Sequence, residues 1–169
     1  PEQRDEARKV FRQNLGHKTI RTLADFDRLA AQLDTQLDDW LAGLDLAGCD
    51  LIGFSVCFSQ LPATLLAVQR MKKLRPQLPI VLGGSTCAPA IASSLLSVFP
   101  EIDFIIAGEG EVPLLSLCKY LAGNAQKPGP RVLSRSRLPQ PAPAESLTLE
   151  HTDQIADLDS LPVPDFDEY

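Results

Sequence analysis

The chain has 169 residues, 44% of them hydrophobic and 22% charged, with a net charge of −6; that is enough sequence for one domain with a genuine core. The acidic balance, without a basic stripe, argues against a nucleic-acid surface, and no apolar run approaches the roughly 20 residues of a membrane span. Cys49, Cys57, Cys87 and Cys118 are widely spaced and form no CxxC pair, which reads as free thiols in a reducing cytoplasm.

Residues 2–14 read as a charged helix weakly anchored by Val10 and Phe11. From Thr22 onward, Phe26, Leu29, Ala30, Leu33, Leu37, Trp40, Leu41 and Leu44 recur at spacings of three and four and predict one apolar helix face. Thr22 is the expected N-cap, with Asp25 as its capping-box partner. Gly48 then releases the chain into a first strand over 50–57, apolar on both faces as in a parallel sheet covered on both sides. The next helix opens at Ser59 to Pro62, since proline is tolerated in a first turn. Leu61, Leu65, Val68 and Met71 form its core stripe, Arg70, Lys72 and Lys73 face water, and Pro76 ends it.

A strand over 79–83 follows, then a helix over 88–98 opened by Pro89 and closed by Pro100. A third strand covers 103–107, and a helix over 111–122 stops at Gly123 and Asn124. Arg131 to Ser134 reads as a short edge strand. The chain thus divides into a helical lead-in (1–47), an α/β core (48–124) and a proline-rich, acidic linker (125–169). Strand–helix alternation predicts right-handed crossovers and a parallel sheet. The first segment is a helix, so a leading strand–helix pair is expected to be absent from this sheet.

Small residues gather where each strand turns into its helix, and in open α/β sheets the carboxyl ends of the strands form the ligand crevice. Ser55, Cys57, Phe58 and Gln60 follow the first strand, Gly83, Gly84, Ser85 and Thr86 the second, and Gly108, Glu109 and Gly110 the third. Each has a plain structural alternative. Ser55 caps a turn, Phe58 is core, and a tight strand-to-helix turn needs glycine as much as a ligand does. Glu109 and Glu111 suit the positive end of the helix they introduce, and a carboxylate beside a phosphate would repel it. Cys57 and Cys87 lie just beyond two successive strands and face one crevice on this reading, but two ligands do not make a structural metal site, so they read as buried or half-exposed thiols.

In order, IGFSVCFSQ, PIVLGGSTCAPA, IDFIIAGEGEVPLLSL and LDSLPVPDFDEY resemble the N-terminal cobalamin-binding region of B12-dependent radical SAM enzymes. The likeness is to the branch that matures ribosomally made peptides. It covers residues 48–122 and the tail 157–169. The resemblance implies a flavodoxin-like (Rossmann-like) three-layer α/β/α fold that holds cobalamin at the carboxyl edge of its sheet. Ser55 and Gln60 would hydrogen-bond the corrin amides or the nucleotide tail, and Phe58 would be an apolar wall. Cys57, Gly83, Gly84, Ser85, Thr86, Gly108, Glu109 and Gly110 would complete the cofactor contacts.

A following radical SAM barrel, in cis, would supply a [4Fe–4S] cluster, S-adenosylmethionine and a peptide substrate for C-methylation. The chain lacks a CxxxCxxC motif, so that chemistry does not reside in it and no catalytic residue is assigned. It also lacks the DxHxxG motif of relatives with an axial histidine. His17 and His151 fall outside any such pattern. Two other readings stay open: a flavodoxin-like domain without B12, used for substrate or partner recognition, and a flavin or nucleotide module.

Overall fold

Four strands, β1 (Ile52–Ser55), β2 (Ile80–Gly83), β3 (Phe104–Ile106) and β4 (Val132–Ser134), form one sheet in that spatial order. The computed structural model describes residues 2–14, 25–137, 155 and 157–163. β1, β2 and β3 run parallel, in the α/β pattern expected from the alternation, and β4 closes the sheet antiparallel to β3. The expected parallel sheet therefore carries one antiparallel edge. The chain divides into two compact units, Pro1–Leu46 and Ala47–Tyr169, and the whole sheet belongs to the second.

Three helices join the strands: α3 (Leu61–Leu74), α4 (Pro89–Val98) and α5 (Glu111–Leu121). Two consecutive βαβ steps in one direction across the sheet carry α3 and α4 to the same face when both crossovers are right-handed. They present Ala67, Val68, Met71, Ala92, Leu95 and Leu96, all buried. The strand register places Ile52, Ile80, Phe54, Leu82, Ile105 and Leu133 on one side and Gly53, Val81, Ser55, Gly83, Phe104, Ile106 and Val132 on the other. On that second side Val81, Ile106 and Val132 form a core cluster with Leu117 of α5. Helices on both faces of the sheet give the three-layer architecture.

The punctuation follows local chemistry. α3 starts with Pro62 in its first turn and ends at Leu74, just ahead of Pro76. α5 ends in a Schellman motif. Gly123, at φ +74°, donates to the Tyr120 carbonyl, and the Asn124 N–H reaches the Lys119 carbonyl at 2.8 Å. A short 3₁₀ turn, Phe58–Gln60, precedes α3.

Two expectations for this unit are corrected. The first strand is not apolar on both faces. Gly53 and Ser55 are exposed while Ile52 and Phe54 are half-buried, because β1 is an edge strand and, among the described residues, no helix of this unit packs over its small residues. Lys72 does not face water either. Its Nζ lies 2.7 Å from Asp103 Oδ2 and donates to the Leu78 carbonyl at 2.9 Å.

In the first unit, α1 (Glu2–Asn14) and α2 (Phe26–Gly43) pair through Arg8, whose guanidinium donates to both carboxylate oxygens of Asp27, and through an edge-to-face contact of Phe11 and Phe26 at 5.5 Å. Hydrogen bonds from Arg8 and then Arg4 hold the Asp27 carboxyl below its ordinary range. The helix cap here is Asp25, whose carboxylate accepts from the Asp27 and Arg28 N–H groups. The cap expected at Thr22 lies outside the described residues, as do His17 and His151.

Candidate functional site

A groove of about 330 Å³ opens on the second side of the sheet, over β1 and β2 and beside α5. Its floor is Gly53, Ser55, Val81, Gly83 and Ile106, and Gly110 and Leu114 form the wall at the start of α5. The parallel register sets Ser55 beside Gly83, so two strand ends meet with almost no side chain above them. Cavities that hold small ligands run from about 300 to 1,000 Å³, and this one lies at the lower end.

The glycines around the groove fall into two classes. Gly84 and Gly108 serve the chain itself. Gly84 has φ +94°, and a Cβ there would lie 2.7 Å from the Val56 carbonyl oxygen. Gly108 has φ +95°, and a Cβ would lie 2.7 Å from Nη1 of Arg131, a residue only 8% exposed. A side chain is strained at both positions, whatever binds nearby, and at Gly84 it also meets backbone.

Gly53, Gly83 and Gly110 are different. A Cβ on Gly53 would meet only a Val81 methyl at 3.6 Å, one on Gly83 would meet Ile106 Cβ at 3.9 Å, and one on Gly110 would meet nothing within 4 Å. None of the three has a positive φ. A glycine inside a strand costs roughly 0.5–1 kcal/mol relative to alanine, and the fold gives no return for it at Gly53 or Gly83. Their smallness leaves backbone open to the groove, as a closely approaching ligand requires.

The loops beyond the groove place the remaining candidates. Phe58 is 89% exposed and holds φ +40°, the one non-glycine residue in the left-handed region among the described residues. A large apolar side chain held in water on strained backbone is characteristic of functional loops, and it is not core. Gln60 folds back, its Oε1 accepting the Cys57 N–H at 2.9 Å. The Thr86 N–H is taken by the Val56 carbonyl at 3.1 Å, and Ser85 is exposed. Glu109 is exposed, and Glu111 sits in the first turn of α5 at the helix's positive end.

Cys57 is half-buried and Cys87 fully buried. Burial, and secondarily the charge of Cys57, push the Cys87 thiol up to about 11, so at neutral pH it is protonated and shielded from solutes.

Ser55, Gly83, Gly84 and Gly110 are thus gathered into the groove lining, while Cys57, Phe58, Gln60, Ser85, Thr86, Gly108 and Glu109 stand in the adjoining loops. Gly53 and Leu114 were not among the expected site residues. An isolated glycine within an apolar strand was the available signal for the first; Leu114 had none, since it is one of several leucines along its helix. Among the described residues no cluster of three or more His, Cys, Asp and Glu side chains is placed to hold a metal ion, and no helix is long and apolar enough to cross a membrane. No known protein family matches the chain, and no curated protein matches it.

Proposed function

We propose that the groove is a cobalamin cradle and that this chain is the cofactor-binding part of a B12-dependent radical SAM enzyme that C-methylates a peptide. The observation that carries the reading is the set of glycines Gly53, Gly83 and Gly110, which line one groove and which the fold itself does not need. A space of about 330 Å³ suits a nucleoside-sized group, not a whole corrinoid. The nucleotide arm of cobalamin is therefore the part that fits between the strands and α5, with the corrin ring at the carboxyl edge of the sheet.

On this reading Ser55 offers its hydroxyl from the groove floor, and Val81, Ile106 and Leu114 supply apolar contact. Ser85 offers a hydroxyl at the edge, and the exposed ring of Phe58 covers apolar surface of the cofactor and keeps water from it. Bound cobalamin supplies a cobalt centre able to carry a methyl group. The cluster and S-adenosylmethionine belong to a barrel in cis, and the free thiols suit a cytoplasmic protein.

The test is an absorbance titration with hydroxocobalamin followed by gel filtration, on the wild type and on Gly53→Val and Gly83→Ala. The wild type is expected to elute with corrin absorbance. Both variants should keep or slightly raise the melting temperature and lose about tenfold or more in affinity, a change of roughly 1.4 kcal/mol. A folded wild type that elutes colourless overturns the reading, as does unchanged affinity in both variants. Retention of flavin mononucleotide in place of the corrin assigns the groove to a flavin module.

A further inference from the structure

Two sulfurs stand in the loops beside the groove, outside its lining. β1 and β2 leave the sheet side by side. The Val56 N–H donates to the Gly83 carbonyl at 2.7 Å, and the Thr86 N–H to the Val56 carbonyl at 3.1 Å. Cys57 and Cys87 are the residues that follow the two partners of the second bond. Their immediate chain neighbours are thus held at hydrogen-bond spacing, which puts the two cysteines in adjoining loops, and a disulfide needs Cα atoms within about 7 Å.

The two thiols also differ in a useful way. Cys57 is half-buried and reachable from solvent, whereas Cys87 is fully buried. A charge on Cys57 is felt at Cys87, so the sulfurs lie within each other's field. Cys49 and Cys118 are exposed and belong to other parts of the surface.

We propose that Cys57 and Cys87 form a reversible redox pair that closes to a disulfide when the protein meets a peroxide. The thiolate of Cys57 attacks one peroxide oxygen. The O–O bond breaks, hydroxide leaves and takes up a proton as water, and Cys57 becomes a sulfenic acid. The sulfur of Cys87 then attacks the Cys57 sulfur. The S–O bond breaks, and the departing hydroxide leaves as water with the proton of Cys87. Two thiols and one peroxide thus become one disulfide and two waters.

The order of events follows from burial. Cys87 is protonated and inaccessible, so it resolves but does not initiate. The new bond ties the loop bearing Phe58 to the turn at Gly84 and fixes the mouth of the groove. A thiol reductant reverses it. The pair stands on the geometry of the two loops, whichever ligand the groove takes.

The experiment treats the folded chain with one equivalent of hydrogen peroxide, blocks remaining thiols with N-ethylmaleimide and maps the peptides by mass spectrometry. The expected product is a Cys57–Cys87 linked peptide, lighter by two hydrogens and lost on treatment with dithiothreitol, with Cys49 and Cys118 alkylated. In Cys87→Ala the sulfenic acid at Cys57 should persist and be trapped by dimedone. In Cys57→Ser, Cys87 should stay reduced. The wild-type result does not depend on either variant folding. Free alkylation of both Cys57 and Cys87 after peroxide overturns the proposal, and so does a Cys57 linked only to Cys49 or Cys118.

Discussion

The two ends of the sheet are closed by different means. At the amino end of the strands long charged side chains do the work. Asp103 Oδ2 accepts the Ile80 N–H and the Lys72 ammonium, each at 2.7 Å, and Arg135 donates to the Pro100 and Ile102 carbonyls. At the carboxyl end the loops are held by backbone bonds of Val56, Gly83 and Thr86, and the residues above them are glycine, serine and an outward-facing phenylalanine. The side chains at the amino end are committed to the fold, although a hollow of about 530 Å³ lined by Asp103, Tyr120, Lys127 and Arg135 also opens there. The carboxyl end is held largely by backbone bonds, with the Gln60 amide on the Cys57 N–H and Arg131 against Gly108, and it keeps a shelf of small residues free on which the groove lies.

The contrast is broken most severely at Gly84. Replacing it with alanine drives a Cβ into the Val56 carbonyl and strains a left-handed backbone, so Gly84→Ala should lower stability by about 2–4 kcal/mol, read as a lower urea midpoint. The amino end should respond next. Asp103→Ala strips Lys72 of its carboxylate and the Ile80 N–H of its acceptor in a half-buried setting. The expected loss is about 2 kcal/mol, with hydroxocobalamin affinity unchanged because this end is remote from the groove.

Phe58→Gly should have the smallest effect on stability and the opposite sign. The exposed ring contributes little to packing, and removing the Cβ relieves the left-handed strain. A gain of up to about 1 kcal/mol in chemical denaturation, together with weaker corrin retention, would set Phe58 apart as a residue kept for the ligand. Loss of stability on this change would instead make it part of the fold.

Much of this was legible beforehand. The apolar runs bounded by glycine and proline mark the strands, and Gly123–Asn124 marks the end of its helix, because these signals act within a few residues of chain. The edge strand at Val132–Ser134 was legible for the same reason. Two features were not. Lys72 looks like a water-facing residue on its helix, since its partner Asp103 enters only when β3 joins β2. The two faces of β1 look alike in an apolar run, and the exposure of Gly53 and Ser55 follows from the strand lying at the edge of the sheet, which spacing along one strand does not encode.

Local chemistry by itself thus determined the alternation of strands and helices, the parallel run of β1 to β3 and the gathering of small residues at their carboxyl ends. Tertiary structure decided which of those residues are spare. Gly83 and Gly84 are adjacent and identical in sequence, yet a side chain on Gly84 would strike the backbone of β1, while one on Gly83 would enter the groove in ordinary contact with Ile106. The distinction lies in the φ of one residue and the approach of a neighbouring strand, and neither exists until the sheet has assembled.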